Sequence, residues 1–496
     1  MGGRSTRIYG ENMRTNNVAI VGGGTAGLVT ALILKSYFPY MKVDLIESKA
    51  VGIVGVGEGS TEHWARFMKQ CRITLKELME ETDATFKYGI NFANWNGDNQ
   101  SYIQSVNGEM NINGPAGIKF VYAQLIAERM NPLFLTKPYV VKSELKEHNY
   151  NINQFHFNTF KLNDFLHKKC AEAGVGLIDA ELNEIPLTED GSIAKLKAKD
   201  GREFEYDFYV DSTGFARIIV HKTMGVKWLS QQKYLPMNSA IAFPTEREEN
   251  IPAWTLSRSM NSGWLWRIPT QERFGNGYVF NDQFCDFDKA KQEVEALYGH
   301  EVQVAKQIKF DAGYLEKSWN KNCVAIGLSG SFVEPLEASS IGHSIQQAFI
   351  LAETLPRYVP GNSIAETVFN KHSDEIVKNI FDFVALHYRV KRNDTDFWKS
   401  VKDLPMTTSL AEQLEIYKYR IPTDNDFDNR RVLFQGANWI IVMHGLGLID
   451  PEVARKEIQK LPKIMADNIV AHMPPMDMSG TWISHRQAIE NLKNSE

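Results

Sequence analysis

A chain of 496 residues is too long for one simple core, and its 10 Trp, 18 Tyr and 27 Phe suit compact globular packing in two or three subdomains. A formal net charge of -5 leaves no global basic field to attract nucleic acid or anionic lipid, so a small molecule is the expected partner. No apolar run reaches the roughly 20 residues of a membrane span. Cys71, Cys170, Cys285 and Cys323 are scattered without metal-ligand spacing, which fits reduced thiols, a cytoplasmic location and no bound metal.

Residues 1–16 are polar, carry Arg4, Arg7 and Arg14, and lack the apolar core of a signal peptide, so a flexible lead-in is expected. Residues 18–21 form a short apolar β-branched run, 28–34 read as an apolar helix, and 43–46 as a second buried strand. Further on, the pattern predicts a helix over 62–72, a strand near 88–95, a polar Asn/Gly loop over 96–108 and a helix over 157–174. Residues 178–209 read as short strands with turns at Asp190-Gly191 and Asp200-Gly201. The Thr-, Trp-, Ile- and Tyr-rich stretch 240–280 predicts a separate sheet facing the substrate. From residue 345 onward helical spacing dominates, punctuated by Pro405, Pro422 and Pro451.

Gly22-Gly23-Gly24-Thr25-Ala26-Gly27 fits G-x-G-x-x-G directly after a strand and opening a helix. Gly22 permits the tight turn, Gly24 lets backbone approach a pyrophosphate, Gly27 lets helix and strand pack closely, and the helix N-terminus offers free N–H groups to phosphate. Glu47 ends the second strand, where an acid would bond a ribose hydroxyl. A glycine turn that merely connects strand and helix is the bland alternative, and strand, helix and acid together weigh against it. Tyr209-Val210-Asp211-Ser212-Thr213-Gly214 ends another apolar strand and resembles the second fingerprint of FAD-dependent monooxygenase-like proteins. Cys323-Val324-Ala325-Ile326-Gly327 repeats the strand-to-glycine pattern, and no second fingerprint offers itself to a nicotinamide coenzyme.

Gly263-Trp264-Leu265-Trp266-Arg267-Ile268-Pro269 matches the W-x-W-x-I-P signature, and with it the chain resembles the flavin-dependent halogenases of the tryptophan halogenase family. Gly55-Val56-Gly57-Glu58 resembles that family's flavin-covering strap, and Phe86-Lys87-Tyr88-Gly89-Ile90-Asn91-Phe92 with Trp95 its lysine strand. Residues 332–341, with Glu334-Pro335-Leu336-Glu337 at their centre, resemble its E-P-L-E segment, and His387-Tyr388 with Arg392, Asp394-Thr395 and Phe397-Trp398 a helical motif. The resemblance runs from residue 18 to about 447. It implies an α/β fold: an FAD-dependent monooxygenase-like nucleotide-binding domain over 17–355, a β-sheet substrate layer around 231–310, and a mainly helical substrate-covering region over 356–496.

The same resemblance implies FAD, used as FADH2 delivered by a separate flavin reductase, together with O2 and halide. Lys87 would hold or become haloaminated by hypohalous acid, and Glu337 would stabilise and deprotonate the cationic ring intermediate. Gly22, Gly24, Thr25, Ala26, Gly27, Glu47, Val56, Asp211, Gly214, Gly327, Leu328 and Ile341 would contact the flavin, and the amides of Ser339 and Ser340 the halide. Trp264 and Trp266, with Ile268 and Pro269, would bar ordinary monooxygenation by bulk and exclusion of water. The implied substrate is an electron-rich aromatic of indole, phenol or pyrrole type, with free tryptophan put in doubt by sparse aromatics over 439–447. Halide, ring position and a homodimeric state stay open, as do an FAD hydroxylase or epoxidase and a non-catalytic flavoprotein.

Residue by residue, the bland readings differ. Lys87 shares a strand face with Gly89 and Asn91, opposite the aromatic set, so alternation does not bury it. Glu337 after Pro335 reads as a helix-start acid, and Trp264 and Trp266 at period two as ordinary sheet residues. His343, His387 and His444 fall into no triad or metal spacing and read as structural.

Overall fold

The computed structural model describes residues 15–52, 55, 58–105, 117–136, 138–147, 153–471 and 480–495. Most of the expected lead-in and the residue Val56 lie outside them.

The chain opens as its pattern predicts, with strand Asn17–Val21, helix Thr25–Tyr37 and strand Lys42–Glu47. Both strands are buried on both faces apart from their ends, as parallel strands between helices must be. Asn17–Val21 pairs in parallel with Lys42–Glu47 on one side and Phe208–Asp211 on the other. Cys323–Ala325 and Gly176–Asp179 extend this sheet in parallel, and the antiparallel Trp319–Asn320 closes one edge, giving six strands. Helix Thr25–Tyr37 packs against Thr159–Glu172 and Ser339–Thr354. The sheet order thus draws strands from residues 17 to 325, and ligand turns fall at the carboxyl ends of its central strands, where open parallel sheets bind cofactors.

A second sheet of seven strands runs in spatial order Lys306–Lys309, Ser239–Glu246, Arg273–Phe280, Gly263–Pro269, Thr255–Met260, Ile90–Ala93 and Ser101–Gln104. It therefore reaches beyond 231–310 and takes in a hairpin from the first quarter of the chain. Ser101–Gln104 lies inside the stretch expected as a loop; its polar flanks hide a strand that pairs antiparallel with Ile90–Ala93 through Tyr102 and Ile103. The chain after 339 is mostly helical, but Trp482–Ser484 returns as a strand beside Glu144–Lys146, and the following helix His485–Lys493 packs on Leu75–Glu81. No helix among the described residues is long and apolar enough to cross a membrane, and no group of three His, Cys, Asp or Glu among them could hold a metal ion.

Candidate active site

Three glycine turns converge beside the first sheet. Gly22 has φ +116°, and a Cβ there would sit 2.2 Å from the Ser212 carbonyl oxygen, so only glycine fits against the second turn. A Cβ on Gly27 would strike the Gly22 carbonyl at 2.1 Å, and one on Gly327, at φ +73°, would come within 2.6 Å of Ala26 Cβ. The Asp211 carbonyl binds the third turn, accepting Ser329 Oγ at 2.6 Å and the Ile326 amide at 3.0 Å.

Gly24 differs from its neighbours: a Cβ built on it meets nothing within 4 Å. It is the N-cap of Thr25–Tyr37, no side chain caps that helix, and no acid occupies its first turn. Uncapped N–H groups above an open floor suit an anion such as a pyrophosphate. Ser212, whose backbone lies against Gly22, has its Oγ buried without a partner, a further unused polar atom among the described residues of these turns. The residues present therefore fit a dinucleotide.

Glu47 lies at the strand end alongside Gly23, with Oε1 2.8 Å from His167 Nε2. That contact lifts the His167 ring above the ordinary histidine range, and Asn163 from the same helix donates to the Gly23 carbonyl at 2.8 Å. Part of the Glu47 carboxylate is thus committed to holding the turn. Asp211 is wholly committed: its carboxylate accepts the Thr213 amide and hydroxyl and the amides of Ile219 and Val220. Gly214, at φ +63°, leaves open space where a side chain would stand.

Lys87 is 1% exposed, although strand alternation does not bury it. The reason is that the strand changes sheets there: Thr85–Phe86 pairs with Phe155–Phe157, while Ile90–Ala93 joins the seven-stranded sheet. Gly89, at φ +153° and 2.3 Å in Cβ terms from the Gln104 carbonyl, carries the break. Lys87 Nζ donates to the Ser60 carbonyl at 2.7 Å. Burial pushes its ammonium down to about 8, against the opposing pull of the Glu337 and Glu62 charges. A Cβ on Gly59 would lie 3.4 Å from Lys87 Nζ and 3.5 Å from Ala338 Cβ, which brings the lysine beside the Glu337 turn.

Ala338 itself holds φ +50°, a left-handed conformation that costs a non-glycine residue of order 1 kcal/mol or more and turns the chain from Glu337 into helix Ser339–Thr354. Glu337 is 2% exposed, and its Oε1 is 2.8 Å from His387 Nε2. His387, read from its spacing as structural, is thus in contact with Glu337. Its Nδ1 donates to the Phe383 carbonyl at 2.8 Å, so Nε2 is the nitrogen turned to the carboxylate. The ring packs at 4.8 Å from Phe92, which stacks on Tyr102 at 5.0 Å and 17°. The Tyr102 hydroxyl is buried without a partner, and Gly445 makes room for the ring, a Cβ there falling 2.4 Å from it. Aromatic walls and the buried Lys87 and Glu337 thus share one region between the second sheet and helix Gly436–Gly445.

Glu334, one residue before Pro335, is also buried, and burial pushes its carboxyl up to about 8, against its Tyr388 and Trp264 neighbours. Tyr388 donates its hydroxyl to it. Trp264 is fully buried, 6.2 Å from Trp266, whose ring occupies the space over Gly277. The Pro269 carbonyl accepts the Thr85 hydroxyl at 2.7 Å, tying the end of that strand to the segment that leads into Lys87. Trp95 Nε1 donates to the His387 carbonyl at 2.7 Å, and Arg392 binds Asp394 while lying over Trp398. Ser60 and Tyr102 escaped the sequence reading, and the contact of His387 with Glu337 was not foreseen from its motif.

Ser339 is buried and Ser340 partly so at the first turn of an uncapped helix; Leu328 is partly buried and Ile341 is 7% exposed. Ser339, Ser340 and Gly327 wall one small recess.

The tryptophan halogenase family model matches residues 17–463. Tryptophan 6-halogenase SttH of Streptomyces toxytricini is 31% identical over 501 residues, covering 90% of this chain and 94% of the relative. Tryptophan 6-halogenase ThaL of Streptomyces albogriseolus is 28% identical, covering 83% of each. Among solved structures, Xcc4156, a flavin-dependent halogenase from Xanthomonas campestris, superposes with TM-score 0.80 at 28% identity over 93% of this chain and 97% of its own.

Proposed function

The chain belongs to the tryptophan halogenase family, and from that premise we propose that it forms hypohalous acid from halide, O2 and FADH2 and uses it to halogenate an electron-rich aromatic of indole, phenol or pyrrole type. Bound as FADH2 from a separate reductase, the flavin supplies the electrons that reduce O2 as halide is oxidised. The first glycine turn and the uncapped helix at Gly24 would hold its phosphates, the turns at Gly214 and Gly327 would contact the flavin, and the amides of Ser339 and Ser340 would hold the halide.

Lys87 carries the reading. Its buried Nζ, anchored on the Ser60 carbonyl, can as ammonium donate to hypohalous acid, or as neutral amine take its halogen, the nitrogen–halogen bond forming as the oxygen–halogen bond breaks and water leaves, which fixes a diffusible oxidant at one point. Glu337 faces the charge that develops on the ring when halogen adds, and takes the ring proton as the carbon–hydrogen bond breaks. His387 orients that carboxylate. Phe92, stacked on Tyr102, packs against His387 and so braces the Glu337 carboxylate from behind, and the buried Trp264 keeps water away.

The test supplies FAD, NADH, a flavin reductase, O2 and each halide in turn with a panel of aromatic compounds, and reads product masses. Halide-dependent products carrying the added halogen are expected. Hydroxylated products formed without halide would overturn the reading.

A further inference from the structure

Helix Ser339–Thr354 starts without a side-chain cap, and the histidine one turn into it is unusual in its bonding. His343 is 4% exposed, with Nδ1 3.1 Å from Ser331 Oγ and Nε2 buried without a partner. Side chains on a helix lean toward its N-terminus, so a residue at this position lies over the turn that carries the Ser339 and Ser340 amides. When the Ser331 hydroxyl donates to Nδ1, the ring proton sits on Nε2, and an N–H donor is left over.

Two recesses, each of about 10 Å³, meet at this ring. That volume is the scale of one small ion or water. The first is walled by Gly327, Ser331, Ser339, Ser340 and His343; the second shares Ser331, His343 and Val377 and continues to Lys317, Asn370 and Asp374. At that outer end Lys317 pairs with Glu366 at 3.2 Å and Asp374 with Lys378 at 2.7 Å, so these charges cancel; Glu316 is exposed at the rim. Val333, Val377, Ile380 and Phe381 complete the first recess, so Ser331, Ser339, Ser340 and His343 present their polar atoms on one side of an otherwise apolar wall.

We propose that His343 Nε2–H, in the tautomer set by the Ser331 hydroxyl, forms an anion-holding station behind the Ser339–Ser340 amides, through which halide reaches the site where it is oxidised. Burial pushes the His343 ring down to about 4, so it is neutral at physiological pH. A neutral N–H donor holds a halide without the deep electrostatic trap of a fixed cation, which suits a station the ion must leave. The proposal rests on the halogenase reading for the identity of the anion.

The experiment measures chloride binding directly, by line broadening of the chloride nuclear resonance with the full-length, flavin-free protein, and in parallel the halide KM of the holoenzyme. His343→Leu removes the donor; His343→Gln keeps an N–H at the same reach, and retained FAD affinity reports that each variant is folded. Loss of a donor to a charged group predicts chloride affinity about tenfold or more weaker in His343→Leu, a matching rise in halide KM, and recovery of most of both in His343→Gln. Equal chloride broadening by wild type and His343→Leu overturns the station, whatever the product. Broadening that depends on His343 in a protein that makes no halogenated product keeps the station and overturns the halogenase reading instead.

Discussion

His387 Nε2 stands 2.8 Å from Glu337 Oε1 with both side chains buried, and the ring's other nitrogen is committed to the Phe383 carbonyl. A carbonyl can only accept, so Nδ1 carries a proton, and a neutral ring would turn its lone pair on the carboxylate. His387→Phe should keep the packing on Phe92 while freeing Glu337 to turn, lowering kcat for halogenation about 10-fold to 100-fold with flavin oxidation retained. Parallel assays of product and flavin oxidation check this; unchanged product formation would contradict it.

The glycine turn separates fold from cofactor. Gly22→Ala drives a methyl group into the Ser212 carbonyl at a positive φ, and should cost stability by about 1–3 kcal/mol or prevent folding. Gly24→Ala meets no atom of the protein and should fold with nearly unchanged Tm, yet bind FAD far more weakly because the methyl group occupies the phosphate floor. Thermal denaturation and flavin fluorescence titration distinguish the two. Equal FAD affinity in wild type and Gly24→Ala would refute the assignment of the floor.

Lys87 titrates at about 8 in the fold against an ordinary 10.5, so the folded state disfavours its charged form. Between these values the unfolded chain binds more protons, and this group's contribution to stability rises with pH across that window. Below about 8 its burial costs on the order of 3 kcal/mol. Lys87→Met should therefore be more stable than wild type at neutral pH, with the advantage shrinking toward pH 10, as denaturant melts at several pH values would read.

Glu334 shows the opposite slope. Its carboxyl is raised to about 8, so the fold favours the neutral acid, and its contribution is full below the ordinary carboxylate value and lost as pH rises toward 8. Glu334→Gln should keep the Tyr388 contact and flatten stability between about pH 5 and 8, whereas Tyr388→Phe should cost about 1–3 kcal/mol by orphaning a buried acid.

Much of the fold was legible in the sequence because its demands are local. Gly22, Gly27 and Gly327 answer to steric contacts within one strand–turn–helix unit or between two such units, and apolar periodicity placed the opening strands and helix. The site was legible only through resemblance. Lys87 is buried because the chain switches sheets at Gly89, which period-two alternation does not anticipate. Tyr102 was lost among polar neighbours, since its strand is recognisable only beside Ile90–Ala93. His387 meets Glu337 across two helices, a contact that tertiary packing alone creates.

The central claim is that Lys87 delivers oxidised halogen to the substrate, and one coupled measurement tests it: halogenated product formed per flavin oxidised, for wild type and Lys87→Ala, with halide present. A substantial ratio is expected for wild type and none for Lys87→Ala, while flavin oxidation proceeds at a similar rate in both. Full halogenation by Lys87→Ala would contradict it.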